Sequence, residues 1–541
     1  MRHALTLLVL ALAAAGAAAT AHADDGPRGL NVRDLVMFDR VSDPRVSPDG
    51  DWVAFQLRET DFDANRGVNS IWLRRVKGDQ APRRITAKGG NAVSPRWSAD
   101  GKSVYFLSNR SGSMQVHRID VGVPGEARQV TAYPLDVGSF VLAPDGRHIA
   151  ISFETYADCK ADLACTKKKL DDEAASKQTG QTYDRIFVRH WDSWSDGRRS
   201  QLFVAALGAD GTAAAEPALV SQGIDGDVPG KPFGDDSEIA FAPDGRSIVF
   251  AARIAGSSEP WSTNLDLFEA PVDGSSAPVN LTDANDASDT GPVFSPDGRT
   301  LYYRAFSRPG FEADRYRILA RDRASGATRE IAADWDRSAE TLMLSRDGRT
   351  IYTLANDLGH NPLFAIDVRS GKVTRIAGDG NVAGASIGDD AIVFARDSLG
   401  GPANLFRTGL RGGAATAITD FNRERLAGIR LGQFEQFSFA GADGHTVYGW
   451  VVKPWNFAEG QRYPVAFIVH GGPQSSMGNS FHYRWNAQTY AGAGYAAVFV
   501  DFHGSTGYGQ AFTDSISGDW GGKPLIDLQK GLAAAGEKYP W

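Results

Sequence analysis

Cysteine is nearly missing from this sequence: its 541 residues hold two, Cys159 and Cys165, with no histidine close by. Two thiolates alone leave a zinc ion half-coordinated, so no metal site is assigned. With no cysteine before position 159, a lipid-modified N-terminal cysteine is excluded as well. Clustered positive charge is also lacking. The net charge is −8, and the densest basic run, Lys167-Lys168-Lys169, is followed at once by Asp171, Asp172 and Glu173. Nucleic-acid binding requires grouped cations that neutralise phosphates, so no nucleic-acid partner is expected and the lysines read as a solvated face. Methionine is scarce at 5 residues while glycine is abundant at 60. Glycine supplies the positive φ that tight turns need, which points to a turn-rich β architecture. The length exceeds the roughly 250–300 residues that one core can serve, so two domains or one very large repeat assembly are expected.

What is present begins with an export signal. Arg2 gives a positive start, Ala4 to Ala19 is apolar, and Ala21-His22-Ala23 is a small-x-small cleavage site. The run is short and mostly alanine, barely apolar enough for about 30 Å of hydrocarbon. Residues 1–23 therefore read as a cleaved leader that leaves no membrane anchor, and the mature chain as exported, periplasmic or secreted. In an oxidising compartment Cys159 and Cys165 can close a small disulfide loop; on sequence grounds two free thiols are the alternative.

The strongest internal pattern is a repeat. Ser47-Pro48-Asp49-Gly50, Ser98-Ala99-Asp100-Gly101, Ala143-Pro144-Asp145-Gly146, Ala242-Pro243-Asp244-Gly245, Ser295-Pro296-Asp297-Gly298 and Ser345-Arg346-Asp347-Gly348 each precede a short apolar run, as in Val104-Tyr105-Phe106 and Ile248-Val249-Phe250. A degenerate copy, Gly388-Asp389-Asp390, precedes Ile392-Val393-Phe394. Proline presets φ, aspartate bonds back to the backbone and glycine takes the left-handed position, so each unit is a strand, a tight turn and a return strand. A period of about 45–50 residues fits one four-stranded propeller blade. One gap is about twice the period; the polar stretch from Asp158 to Asp184 is read as an insertion within a blade that Gln201-Leu202-Phe203-Val204 completes. The fold class expected is an all-β seven-bladed β-propeller over residues 24–430, favoured over an open solenoid because a ring hides its end edges. It is followed over residues 431–541 by the N-terminal part of an α/β-hydrolase domain. There, Phe437-Ser438-Phe439 and Thr446 to Val452 form a hairpin, Pro464 to Val469 and Ala496 to Val500 read as buried strands, and Tyr483 to Gly492 and Asp527 to Lys538 as helices.

The most specific motifs are His470-Gly471-Gly472-Pro473 at a strand end, Asp501-Phe502-His503-Gly504-Ser505-Thr506-Gly507-Tyr508-Gly509, and Gly518-Asp519-Trp520-Gly521-Gly522 with Asp527. On these the chain resembles the prolyl oligopeptidase family, in particular its exported dipeptidyl-peptidase and acylaminoacyl-peptidase branches. The resemblance implies a serine peptidase acting on short peptides, with no metal or organic cofactor. It also implies that the Gly472 N–H serves an oxyanion hole, where donors must stand about 3 Å from the developing charge. His470 occupies a position where dipeptidyl peptidases often carry tyrosine, which leaves it a structural strand-end residue. His503 stands where relatives often have arginine, which weakens any transfer of a carboxylate-binding role. The family's nucleophile sits in a Gly-x-Ser-x-Gly elbow between a strand and a helix; that serine and its acid and base are expected beyond Trp541, leaving these 541 residues inactive. Gly384-Ala385-Ser386-Ile387-Gly388 matches the elbow pattern, but a strand follows it instead of a helix.

Two polar-aromatic clusters, Arg189 to Trp194 and Glu259 to Asn264, are candidates for substrate selection. A carboxylate buried beside aromatic walls can pair with a peptide's ammonium, which nominates Glu259 and Asp192; alternatively Trp191, Trp194 and Trp261 pack between blades. The rivals to a peptidase are a non-enzymatic exported propeller that binds a partner, and a short gene product carrying a decaying hydrolase remnant.

Overall fold

A computed structural model describes residues 26–541 except 124, 184, 185, 187 and 191. The leader assigned to residues 1–23 lies outside the described residues, as does Trp191.

Each Asp-Gly repeat folds as a tight turn for a local reason. In the first, Gly50 has φ +75° and its N–H donates to the Ser47 carbonyl at 2.9 Å. The Ser47 hydroxyl donates to Asp49 Oδ1 at 2.5 Å and accepts from the Trp52 N–H at 2.9 Å. The Ser98, Ser295 and Ser345 turns repeat this set. Where the sequence has Ala143 or Ala242 instead, the two hydroxyl bonds are lost, while the glycine N–H bond and the aspartate's bond to the backbone remain.

These turns join the first and second strands of seven four-stranded antiparallel sheets among the described residues, covering 40–84, 92–129, 140–219, 239–280, 289–331, 343–377 and 381–417. In each sheet the four strands pair in sequence order. An apolar cluster fills every space between successive sheets, for example Phe153 and Phe203 of sheet three against Tyr105 and Val116 of sheet two. A further cluster joins sheet seven to sheet one through Val393 and Leu405 against Val53 and Phe55. The chain thus folds first as a β-propeller. In sheet three, His148–Tyr156 pairs with Arg198–Ala206, so the residues between them are an insertion within that sheet. It holds the Leu163–Ala175 helix, and the Cys159 and Cys165 sulfurs are bonded at 2.03 Å. Lys167 and Lys168 pair with Asp171 and Asp172 along its exposed side.

Residues 434–541 form a mixed sheet in the order Phe434–Ala440, Thr446–Val452, Ala496–Asp501, Val465–Ile468, the last pair parallel. The Ala487–Gly492 helix covers one face with Trp450 and Phe499; the Gly522–Lys538 helix covers the other with Phe437 and Val500. This is a sheet with helices on both faces, as α/β domains require.

Residues 28–38 precede the first propeller strand at Arg40 and contact the α/β part as well as the propeller. Asn31 and Asp34 cap the Val32–Met37 helix reciprocally, and Leu30, Leu35 and Phe38 bury against Phe481. The Arg28 N–H donates to the Gly428 carbonyl at 2.9 Å, and the Arg430 N–H to that of Arg28 at 2.7 Å. The same segment also touches sheet one, where the Val36 carbonyl accepts from the Thr60 hydroxyl at 2.7 Å and Arg33 lies over the Phe62 ring.

Candidate active site

The Val465–Ile468 strand runs into His470-Gly471-Gly472-Pro473. His470 Nδ1 lies 2.9 Å from the Gly471 carbonyl, so it carries the proton and donates; Nε2 then accepts from the Ser505 hydroxyl at 3.0 Å. Phe502 stacks under the imidazole at 4.3 Å and 9°. The Ser475 hydroxyl donates to the same Gly471 carbonyl at 2.7 Å. Asp501, 1% exposed, accepts from the Ser476 hydroxyl at 2.6 Å and the Tyr508 hydroxyl at 2.7 Å. Burial first, and then the Asp501 charge, push the Tyr508 phenol well above its ordinary value.

These contacts fix the backbone around Gly472, which has φ +129°. A Cβ there would stand 2.7 Å from Ser475 Oγ, so only glycine fits. Gly472 is exposed, and no acceptor meets its N–H among the described residues. An open donor on a braced turn at a strand end is available to an anionic oxygen.

A complete Ser–His–Asp relay does not assemble among the described residues. Ser505 is fully buried, and the Asp501 carboxylate approaches the same His470 nitrogen, at 3.8 Å, that Ser505 occupies. His503 Nδ1 does bond Asp527, at 2.6 Å, but the partner across its ring is His445. Ser386 lies inside the Asn381–Ile387 strand, where its oxygen accepts from the Val46 N–H at 2.9 Å and ties sheet seven to sheet one. Its elbow-like pattern is a seam contact.

Comparison with known proteins adds to this geometry. Residues 36–182 match the TolB beta propeller domain and residues 481–541 the prolyl oligopeptidase family. Proteins named dipeptidyl-peptidase 5 from Porphyromonas gingivalis and Porphyromonas endodontalis are 27% and 29% identical to this chain, over 91% and 93% of it and 70% and 71% of their own lengths. Over these stretches the chain is similar to the prolyl oligopeptidase family. Acylaminoacyl peptidase from Pyrococcus horikoshii shares its fold, with a TM-score of 0.73 at 20% identity over 94% of this chain and 72% of that one. A puromycin-hydrolyzing peptidase from Mycobacterium tuberculosis does so at a TM-score of 0.64 and 17% identity, over 95% and 74%.

In this chain the loops joining second to third strands leave the propeller at the end opposite the Asp-Gly turns. Those of sheets five and six reach residues 503–514: Arg308 pairs with Asp514 at 2.7 Å, and the Leu358 N–H donates to the Gly507 carbonyl at 3.1 Å. Gly507 (φ +92°) is required there, since a Cβ would come within 3.0 Å of the Asn356 backbone. The corresponding loops of sheets three and four carry the residues nominated for substrate selection. Glu259, with its side chain 13% exposed, does not stand alone: both its oxygens accept from Arg199 at 2.7 Å. Arg199 also bonds Asp227 at 3.0 Å and faces Asp225, while Lys231 pairs with Glu154 and Asp227. The hydrogen bonds that Arg199 donates to Glu259, against a burial cost, raise the guanidinium above its ordinary value.

Two expectations are corrected here. Asp192 is exposed at the tip of a two-residue hairpin, so it is not a desolvated carboxylate. Trp194 and Trp261 are 58% and 67% exposed and do not pack between sheets, because the intersheet cores are already filled. Arg199, Asp227, His445 and the Asp501–Tyr508 bond were not singled out from sequence. Each gains its meaning from a partner distant in the chain, and no local pattern marks that pairing.

Proposed function

We propose that this chain supplies the propeller and the oxyanion-hole loop of an exported serine peptidase that releases dipeptides from the free N-termini of short peptides. The observation that carries the reading is the exposed N–H of Gly472 on its braced turn, without an acceptor among the described residues, which suits an oxyanion donor. Seven sheets with a core in every gap, the last between sheets seven and one, support a closed seven-bladed propeller over the cleft, which limits substrates by size. The leader pattern and the Cys159–Cys165 bond support a location outside the cytoplasm.

Dipeptidyl rather than acylaminoacyl specificity is favoured by charge. Around Glu259 the carboxylates Glu154, Asp225, Asp227 and Glu259 gather with the cations Arg199, Lys231 and Arg253. A carboxylate-rich cluster suits an ammonium group and not an acylated terminus.

No serine among the described residues has the elbow geometry, so these 541 residues alone are expected to give no turnover. The natural gene product, purified from its source, is expected to react with a fluorophosphonate probe and to cleave a chromogenic dipeptidyl substrate faster than its N-acetylated analogue. Failure to label would overturn the peptidase reading; preference for the acetylated analogue would overturn the specificity. Turnover by the 541 residues alone would overturn their expected inactivity.

A further inference from the structure

We propose that His445, His503 and Asp527 form a one-proton row that positions the Gly472 loop, so that a proton taken up at the exposed His445 is felt at His470. The row stands on geometry alone; its consequence for catalysis rests on the reading of Gly472 above.

Asp527 is fully buried and takes three donors: the Ala442 N–H at 2.7 Å on Oδ1, and the His503 N–H at 2.7 Å and ring Nδ1 at 2.6 Å on Oδ2. His503 Nδ1 therefore carries a hydrogen. Its Nε2 faces His445 Nδ1 at 2.9 Å. Two imidazole nitrogens can bond only when one of them holds a proton and the other does not. In the neutral row His445 donates to His503. After one proton enters, His503 is an imidazolium held between the Asp527 carboxylate and the His445 lone pair. A second proton puts hydrogens on both facing nitrogens and breaks the bond. The other charged groups nearby are Asp443, paired with Lys523 at 2.9 Å beside the same turn, and Lys530, which donates to the Gly441 carbonyl at 2.7 Å.

The row reaches the oxyanion loop by a short path. Phe502, the neighbour of His503, lies under the His470 ring, and Ser505, two residues on, donates to His470 Nε2. His503 itself stacks on Phe512 at 4.4 Å. Both supports of His470 are thus carried by the segment that Asp527 anchors. His503 and Asp527 act as positioning residues, touching no substrate.

The test follows histidine ring signals of this 541-residue chain, carrying 13C-labelled histidine, through a pH titration. The His445 and His503 signals are expected to respond in two linked steps, as groups sharing one hydrogen-bonded proton do, with the His470 signal moving in the first. In His445→Gln, a surface change, His503 is expected to titrate in one step and the His470 movement to be lost. Independent overlapping titration of the two histidines, or a His470 shift that survives His445→Gln, would overturn the proposal. In the natural enzyme the same variant is expected to remove one inflection from the pH profile of kcat while leaving KM unchanged, and an unchanged profile would overturn the positioning role. Failure of the peptidase reading would leave the two spectroscopic steps in place.

Discussion

Sheets five to seven and sheets three to four turn the same end of the propeller toward the α/β part, yet meet it in opposite ways. Along the first arc the two parts are stitched together by backbone groups. Asp397 accepts from the Phe481 N–H at 2.6 Å, Asn479 from the Leu399 N–H at 2.8 Å, and Gln510 donates to the Ala313 carbonyl at 3.0 Å. Along the second arc no hydrogen bond reaches residues 431–541 among the described residues. In its place stand the Arg199–Glu259 cluster and the exposed rings of Trp194, Phe233 and Trp261. One arc is a fixed anchor and the other an open mouth, and charge is spent at the mouth where no packing partner covers it.

The comparison breaks most sharply at the mouth. Glu259→Gln in the natural enzyme is expected to lower kcat/KM for a free-N-terminal substrate about 30-fold, roughly 2 kcal/mol for a hydrogen bond to a charged group, and to leave an N-acetylated substrate unaffected. Equal losses on both would remove Glu259 from substrate selection. At the anchor, Asp397→Ala strands the Phe481 N–H and the Asn381 amide. It is expected to cost about 2 kcal/mol, seen in denaturant titration with early proteolytic exposure of residues 431–541; unchanged protection would show that the anchor lies elsewhere.

A third expectation concerns pH. Burial raises Asp289 and Glu238 to about 7 and Asp397 to about 6. In the unfolded chain such acids ionise near pH 4, so in this window the folded state binds more protons. Their stabilising contribution is complete below about pH 4 and is lost as pH climbs to about 7. Melting is expected at higher temperature at pH 5 than at pH 8. Asp289→Asn, at a residue 1% exposed, should reduce that difference by about 1–3 kcal/mol; an unchanged slope would acquit Asp289. The smallest effect is in the turns: Ser47→Ala leaves the arrangement that Ala143 and Ala242 already show, and should cost at most about 1 kcal/mol in thermal unfolding. A larger loss would mean that the serine turns differ from the alanine ones in more than the hydroxyl bonds.

The propeller was legible because its information is local. Each Asp-Gly turn announces itself within four residues, and the intervening apolar runs become strands at the places their alternation predicts. The hydrolase motifs were legible for the same reason: glycines that a strand end requires stand side by side. What could not be read is pairing across distance. Glu259 was nominated as a carboxylate, but the arginine it holds lies 60 positions earlier. His503 and Asp527 were both noted, whereas His445, which completes their row, lies 58 positions before His503. The exposed tryptophans were misjudged because composition does not say whether a neighbouring core is already full.

The docking of residues 28–38 has a consequence for how the molecule is made. Asp39 and Asn422 bond each other across 383 positions of sequence, so the two ends of the propeller segment meet. Contacts of such separation form late. A ribosome delivers the opening segment before its partner Phe481, and Leu30, Leu35 and Phe38 must wait, greasy and unsheltered, while seven sheets assemble. This opening stretch is where a holding chaperone would have most to do, and where a folding defect would surface long before any change at the mouth was noticed.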